Sequence, residues 1–348
     1  MNALINFVGD LAIFKKFESM GIDPFRDTEM PEADRYIGNF EFPVPDGRKK
    51  TFYDVQSAYC PSYSYFKNLK LDKFSFLGIA NNHSMDYGHD GVLDTVAGIE
   101  NKGVKTFGYS TIETFDILRF SVNGLNFAVI AFVKGGRWSR VNFGYGPNHY
   151  DLEKILTLIS ELKTQVNHII IFPHWGTELV AIPDPEDVKN ARAFIDHGAS
   201  VVVGHHPHVP QGIEDYNGGI IAYSLGSFIY FHEEELGYSE KKWDRHFSIS
   251  LNIEFSQNNV VGHAIHIYKY NKLTKLPELC STGEFDYQFS EISRKIGNKK
   301  EYVTAIRKQL LLRELLSFFL RFKHDPVNTI CYYFRYLKFS HLRKVLGF

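Results

Sequence analysis

Short apolar segments rich in β-branched residues recur along most of this chain, and amphipathic helical patterns separate several of them. The runs HIIIFPHW (168–175) and SVVVG (200–204) are typical of strands buried on both faces. Helical spacing of apolar residues occurs at three places: 91–102, 151–166 and 185–197. Asparagine-containing turns indicate two hairpins, at 123–124 and 258–259. This alternation predicts an α/β or α+β fold with a mixed sheet.

Composition narrows the class of protein. The 348 residues are 44% hydrophobic and 23% charged, which is enough for a large buried core. The net charge of −1, with no basic stripe before residue 299, argues against a nucleic-acid partner. Cys60, Cys280 and Cys331 are isolated, so we expect neither a disulfide framework nor a zinc site built from thiolates.

The first residues lead directly into an apolar strand, without the pattern of a signal peptide. No apolar run reaches the roughly 18 residues that a membrane-spanning helix needs. We therefore expect a cytoplasmic protein, either free or peripheral to the inner face of the membrane.

The strand pattern ends near residue 272, which predicts a domain over 1–272 and a helical extension over 273–348. From Lys299 onward the extension carries 11 Lys and Arg against 3 Asp and Glu, interleaved with aromatic residues. One interpretation is an amphipathic anchor on anionic lipid, which would give peripheral membrane contact. The other is a set of helices docked on the domain or on a partner.

Several apolar strands end in residues that can bind a divalent cation. These residues are Asp10, Asn39, Glu41, Asn82, His83, His174, His205, His206 and His208. Ligands bind beyond the carboxyl ends of strands in α/β sheets, so five such ends could supply one cleft. Imidazole and carboxylate suit Zn, Mn and Fe, and two ions roughly 3.5–4 Å apart would need about this many ligands.

Each of these residues also has a structural interpretation. A lone Asp10 after a strand is commonly a cap or turn residue, and Asn82 could simply tolerate a left-handed turn. The run GHHPH (204–208) is harder to explain in this way, because three histidines are costly to bury unpaired. Taken together, the strand ends favour a metal centre.

Six spaced motifs now carry a family resemblance. They are GD (9–10), NFEFPV (39–44), ANNHSMDYGHDG (80–91), HWGTE (174–178), GHHPHVPQGIE (204–214) and YSLGSF (223–228). In this order they resemble the CapA family of capsule and poly-gamma-glutamate synthesis proteins, whose domain is similar to calcineurin-like metallophosphoesterases. The resemblance covers roughly residues 4–231. It implies a four-layer fold, with a central β-sandwich flanked by helices and a metal centre at one edge.

The resemblance also implies roles for single residues. The implied metal ligands are Asp10, Glu41, Asn82, His174, His206 and His208, with Asn39 as a second choice for the bridging position of Glu41. His83 would act on the substrate. His205 stands where the broader family usually has glycine, which leaves its role open. The implied cofactors are two divalent ions, Mn, Zn or Fe.

Four further residues in these motifs are candidates for supporting roles. Asp86 could fix the tautomer of His83 or cap a helix. Glu178 could orient His174, contact a cationic group of the substrate or lie on the surface. Gln211 could reach the cleft or pair with backbone. Ser227 replaces the usual asparagine of SLGNF.

The sequence also departs from the broader pattern at Ala12, which occupies the place of a histidine in the DxH opening of many phosphoesterases. One of the two ions would then have fewer ligands.

The implied function is hydrolysis by a metal-bound hydroxide during synthesis of capsule, exopolysaccharide or poly-gamma-glutamate. The bond would be a phosphoester or a gamma-glutamyl amide in an envelope polymer or its precursor. The alternative is a non-catalytic component that assembles with capsule-synthesis proteins.

Overall fold

The computed structural model describes residues 2–47, 60–111, 114–135, 144–230, 246–280, 283–324 and 326. The strands are β1 (Ala3–Leu11), β2 (Arg35–Phe40), β3 (Phe76–Gly78), β4 (Lys105–Phe107), β5 (Tyr109–Thr111), β6 (Ile117–Val122), β7 (Leu125–Val133), β8 (Tyr145–Pro147), β9 (His168–His174), β10 (Val201–Val203), β11 (Ile213–Tyr216), β12 (Gly219–Ala222), β13 (Ser227–Ile229), β14 (Phe247–Phe255), β15 (Val260–Tyr270) and β16 (Pro277–Cys280). The helices are α1 (Lys15–Met20), α2 (Pro24–Asp27), α3 (Tyr63–Asn68), α4 (Gly88–Glu100), α5 (Leu152–Leu162), α6 (Pro185–His197), α7 (Gly283–Gly297) and α8 (Lys299–His324).

Two mixed sheets form the centre of the described structure. The first has the order β16-β15-β14-β1-β2-β3-β4, with β13 also pairing with β1. In it β1 to β4 run parallel, whereas β14, β15 and β16 add on antiparallel. The second sheet has the order β11-β12-β10-β9-β7-β6, with a parallel middle from β12 to β7. A small antiparallel pair, β5 and β8, completes the described strands.

Three hydrophobic clusters define the layers. Side chains of both sheets, such as Phe7 of β1 and Phe127 of β7, pack together in the middle. Helices α1 to α4 cover the outer face of the first sheet, where Phe66 is fully buried. Helices α5 and α6 cover the second sheet, as the burial of Ile159 and Phe194 shows. The result is the predicted mixed α/β sandwich of four layers, helix–sheet–sheet–helix.

Local chemistry explains where elements turn. Asn123 and Gly124 have φ values of 51° and 81°, the left-handed pair that a tight hairpin turn requires. The short strands β4 and β5 are separated at Gly108, where φ is 94°. A Cβ there would lie 2.8 Å from Cβ of Ala80, so the chain can bend at this point only with glycine.

The C-terminal helices predicted from the sequence are present, and their first part is packed on the sandwich. The expected boundary after residue 272 precedes β16, which pairs with β15 in the first sheet. Phe285 and Phe289 of α7 belong to the cluster between the sheets, and Tyr302 and Ile306 of α8 belong to the outer cluster of the second sheet. The tail after residue 324, apart from Pro326, lies outside the described residues. Across the described part of the chain, no helix has the length and apolarity needed to cross a membrane.

Candidate metal centre

Strand pairing brings the predicted ligands together at one edge of the sandwich. In the first sheet Asp10 of β1 lies opposite Asn39 of β2, and on its other side opposite Ser227 of β13. In the second sheet an isolated parallel bridge joins His174, at the end of β9, to His205. Because the carboxyl ends of both sets of parallel strands meet at this edge, side chains distant in sequence share one site.

The first group of potential ligands consists of Asp10, Glu41 and His208, all buried. Nδ1 of His208 lies 3.1 Å from Oδ2 of Asp10, and its Nε2 lies 3.4 Å from Oε1 of Glu41. Each residue of the group can offer one ligand atom, and these atoms lie within 4.8 Å of one another. This spacing would let a single ion contact all three side chains.

The second group consists of Glu41, His174 and His206, again with ligand atoms within 4.8 Å of one another. Oδ1 of Asn82 lies 2.7 Å from Nε2 of His174, so the amide oxygen adjoins the same group. Glu41 belongs to both groups. Its carboxylate could therefore supply a ligand atom to either group.

The fit of this site to cations can be judged from its unsatisfied polar atoms. Both carboxylate oxygens of Glu41 and Nδ1 of His206 are buried without a hydrogen-bond partner among the described residues. A buried carboxylate with no donor is costly, unless a proton or a cation compensates the charge. Two carboxylates, three imidazoles and an amide oxygen match the ligands of Mn, Zn and Fe. The residues therefore fit divalent metal.

Burial is the dominant influence on two of the histidines. It lowers the pKa of His174 well below its usual value, and the neighbouring histidines lower it further. Burial likewise lowers the pKa of His206 to about 4, although the carboxylate of Glu178 opposes this effect. Both imidazoles are thus neutral at neutral pH, which is the form that binds a metal ion.

The other buried groups form a coupled set around His208. Burial acts to lower the pKa of His208, but the carboxylates of Glu41 and Asp10 raise it well above its usual value. Burial raises the pKa of Glu41, with Asp10 adding to the increase and His208 opposing it. Burial would also raise the pKa of Asp10, yet contact with His208 leaves it lowered. A proton on His208 therefore competes with an ion for this group, and metal binding would release it.

His83 lies beside the second group and has a carboxylate partner. Its Nδ1 is 3.0 Å from Oδ2 of Asp86, and its side chain is 14% exposed. The ring packs against Phe42, with a centroid distance of 4.2 Å. Oδ2 of Asp86 can accept a hydrogen bond from Nδ1, which would fix the orientation of the ring beside the ligand groups.

Comparison with known proteins gives the family. The model of the bacterial capsule synthesis protein PGA_cap matches residues 5–231. The chain belongs to the PGA_cap family. The matched span contains every candidate ligand, whereas α7 and α8 lie beyond it.

Two relatives of this PGA_cap protein are named for polymer synthesis. It is 34% identical over 237 residues to the PGA biosynthesis protein CapA of Bacillus subtilis (strain 168), covering 65% of this chain and 62% of the relative. It is 32% identical over 213 residues to the capsule biosynthesis protein CapA of Bacillus anthracis, covering 58% of this chain and 51% of the relative. The match thus spans between half and two thirds of the length of these relatives.

Among solved structures, a novel phosphatase from Mycoplasma pneumoniae aligns with a TM-score of 0.45 and 14% identity, covering 83% of this chain and 97% of that one. A putative 5′-nucleotidase from Staphylococcus aureus aligns with a TM-score of 0.46 and 13% identity, covering 85% and 58%. The layers and strand order given above do not depend on these alignments.

Two further predicted residues of the PGA_cap motifs, Asn39 and Ser227, lie against ligand atoms. Asn39 donates from Nδ2 to Oδ1 of Asp10 at 2.8 Å, and the same atom lies 3.3 Å from Nδ1 of His174. Oγ of Ser227 lies 3.2 Å from Nδ1 of His208. Glu178 follows β9 on the HWGTE loop and is half-buried. Asn39 and Ser227 therefore adjoin ligand atoms directly.

Two predicted residues turn away from the ligand groups. Nε2 of His205 lies 3.2 Å from the carbonyl oxygen of Val8, and its ring packs on Phe172 at 4.1 Å. Gln211 donates from Nε2 to the carbonyl oxygen of Val180 at 2.7 Å, the backbone pairing that was one of its two interpretations. Both side chains thus have contacts that support the surrounding loops.

Sequence reasoning missed three contributors to the site. Asn81 donates from Nδ2 to the carbonyl oxygen of Phe40 at 2.8 Å, which ties the NNH loop to the end of β2. Tyr230 packs on His208 with a centroid distance of 4.9 Å, and Phe42 packs on His83. The doubled asparagine in ANNH was a signal for the first. The aromatic rings carry no comparable signal, because they lack a ligand atom.

Proposed function

We propose that this chain is a hydrolase that depends on two divalent ions and acts during the synthesis of capsule, exopolysaccharide or poly-gamma-glutamate. The observation that carries this proposal is Glu41, whose two buried, unbonded oxygens belong to both ligand groups. A carboxylate shared by two ligand groups that each contain histidine is the arrangement of dinuclear hydrolytic centres.

The proposed ligands divide between the two ions. Asp10, Glu41 and His208 would hold one, and Glu41, His174 and His206, with the amide oxygen of Asn82, would hold the other. Mn, Zn or Fe suit this mixture of oxygen and nitrogen ligands. When bound, the ions would polarise an oxygen of the substrate and make water a better nucleophile.

The chain's own residues supply the proton. His83 is partly exposed beside the second group, and its Nδ1 lies 3.0 Å from Oδ2 of Asp86. We assign to His83 the donation of a proton from Nε2 to the leaving group, with Asp86 as the residue that orients the ring. Neutral His174 and His206 are bound too deeply among ligand atoms for this task.

The substrate class follows from the relatives. The two CapA proteins are named for PGA and capsule biosynthesis. We propose an envelope polymer or its precursor as substrate, with a phosphoester or a gamma-glutamyl amide as the bond. Capsule-synthesis proteins are the proposed partners.

The test is turnover of a phosphodiester and of a gamma-glutamyl peptide by the protein loaded with Mn²⁺ or Zn²⁺. We expect His83→Gln to lower kcat about 10²-fold, because it removes the proton donor, and to leave metal content unchanged. Glu161→Gln, on the exposed side of α5, is the matched control and should retain wild-type turnover. Full activity in excess chelator would overturn the proposal.

A second candidate function is a non-catalytic role in polymer assembly, with a structural metal. The observation that favours it is Ala12, buried beside β1 where the broader pattern has a histidine. Polymer production in cells separates the two functions. Wild-type production by a double variant, His83→Ala with His206→Ala, would support assembly, whereas loss of production with a normal fold would support catalysis.

A further inference from the structure

Helix α8 is attached to the sandwich by one side of its first half. Tyr302 and Ile306 are 7% and 3% exposed and pack with the outer cluster of the second sheet. Oε1 of Gln309 accepts hydrogen bonds from the backbone N–H groups of Ala181 and Ile182, at 2.8 and 3.2 Å. These contacts fix the orientation of the helix relative to the domain.

The opposite side of the same helix carries exposed leucines. Leu311, Leu312 and Leu315 are 47%, 47% and 45% exposed. Nine residues make about two and a half helical turns, so Leu311 lies opposite Tyr302, and Leu315 lies opposite Ile306. The apolar face formed by these three leucines, the leucine face, therefore points away from the sandwich.

The sequence continues this spacing beyond the leucines. Positions 311, 315, 318 and 322 are Leu, Leu, Phe and Phe, the i, i+4, i+7, i+11 pattern of one helical face. From Leu311 to the end of α8 the helix is about 20 Å long. An isolated helix of this length is marginal in water, and burying its apolar side would stabilise it.

Charge identifies the partner. From Lys299 onward the chain carries a net +8, whereas the preceding residues carry −9. Arg307 and Lys308 are exposed on α8 itself. Two copies meeting through their leucine faces would bring two strongly basic segments together, which is unfavourable. An anionic lipid surface instead accepts both the leucines and the basic side chains.

We propose that the leucine face of α8 docks on an anionic bilayer, with the helix lying along the interface. The described part of the chain has no helix able to cross the membrane, which is consistent with a surface contact. This inference rests on α8 alone and does not depend on the hydrolase proposal.

The test is cosedimentation of the full-length protein with vesicles. We expect binding to vesicles of phosphatidylglycerol and phosphatidylcholine, little binding to phosphatidylcholine alone, and weaker binding at high salt. A triple variant, Leu311→Gln with Leu312→Gln and Leu315→Gln, should bind at least about tenfold more weakly because it loses the apolar contact. Leu93→Gln, on α4, changes a leucine with the same 47% exposure and should bind as wild type.

Three results would overturn the inference. These are no binding to the anionic vesicles, equal binding to neutral vesicles, and unchanged binding by the triple variant. Sedimentation velocity tests the competing occupant. A wild-type dimer that the triple variant converts to a monomer, with no vesicle binding by either protein, would assign the leucine face to a second copy.

Discussion

At the scale of single residues, Glu41 is the residue that both groups of potential ligands share. It is fully buried, neither carboxylate oxygen has a hydrogen-bond partner among the described residues, and burial raises its pKa. In the absence of an ion this carboxylate is a destabilising group, and an ion would turn it into a stabilising one. Glu41 should therefore lower the free energy of unfolding in the absence of metal and raise it when metal is bound.

Glu41→Gln tests this reversal. We expect the variant to be more stable than wild type in chelator, by about 1–2 kcal/mol, because Asp10 and Glu41 share a single cationic partner, His208, and the variant leaves one balanced pair. It should gain little stability from added Mn²⁺, whereas the stability of wild type should rise with the logarithm of the ion concentration once this exceeds the dissociation constant. Thermal unfolding with and without Mn²⁺ measures both effects. Equal stabilisation of variant and wild type by the ion would contradict the assignment.

Backbone conformation at the histidines gives a second prediction. His206 has φ of 99° and His208 has φ of 59°, values that favour glycine over other residues. Both His206→Gly and His206→Ala remove the imidazole, but only glycine relieves the backbone. We expect the glycine variant to be about 1 kcal/mol more stable than the alanine variant by urea unfolding.

The same two substitutions at His197 are the control. His197 is the last residue of α6, where glycine should be the less stable choice. If glycine and alanine at position 206 give equal stability, the left-handed conformation of this histidine stores no strain.

The sequence predicted the residue types of the centre better than their contacts. Strand ends indicated Asp10, Glu41 and the histidines because metal ligands need particular atoms. Nothing local separates His205, which turns into the core, from His206, which faces the ligands. Their distinction depends on positive φ at His206 and on Phe172 in another strand. Such information comes from tertiary packing.

At the scale of elements, strands that follow an apolar run were predictable, including the three residues of β10, whereas β13 was not. The runs that became β9 and β10 are rich in β-branched residues and fully buried, and the Asn123-Gly124 turn marked the β6–β7 hairpin. Strand β13 has three residues and pairs with β1 only over Asp10 and Leu11. That pairing nevertheless places Ser227 beside His208. A three-residue strand has too few positions to show a period, so its contribution appears only in the folded structure.

The start of α6 carries a pH-dependent ion pair. Oδ1 of Asp187 lies 2.6 Å from Nζ of Lys134, which follows β7. Burial raises the pKa of Asp187 from 3.8 to about 6, against the effect of Lys134. Because the folded pKa is higher than the unfolded one, the native state binds more protons between these values. The stability that this carboxyl contributes is thus complete below about pH 4 and is lost as pH rises through about 6.

Asp187→Asn should remove this dependence. We expect the unfolding free energy of wild type, relative to the variant, to fall by about 3 kcal/mol from about pH 3 to about pH 7. Urea unfolding across that range measures the difference. Glu186→Gln, which changes a carboxylate that is 66% exposed in its side chain and touches the same Lys134, is the control. If the unfolding free energies of wild type and Asp187→Asn change with pH in parallel, burial does not raise the pKa of Asp187.

At the scale of the whole molecule, α7 and α8 complete two hydrophobic clusters. The buried side chains that they contribute are Phe285, Phe289, Ile292, Ile296, Tyr302 and Ile306. At about 1.5–3 kcal/mol each, their burial is worth on the order of 10 kcal/mol, comparable to the net stability of a typical domain. The sequence pattern predicted the helices, but it could not show that they cover the second sheet.

Truncation tests how far the folding unit extends. A chain that ends at residue 272 should fail to unfold cooperatively, because both hydrophobic clusters would lack the buried side chains of α7 and α8. A chain that ends at residue 324 should fold, since it retains all six side chains. Circular dichroism during heating distinguishes the two results. Cooperative unfolding of the shorter chain would support the boundary predicted after residue 272.

The central claim is a pair of ions that share Glu41, and its most direct test is the number of metal ions bound per chain. Titration calorimetry with Mn²⁺ or Zn²⁺, checked by elemental analysis, should give about two ions for wild type. His206→Ala should keep about one, because it removes a ligand of the second group only. Glu41→Gln should weaken both sites together, since both groups contain this residue. Two undiminished sites in Glu41→Gln, or none in wild type, would contradict the account.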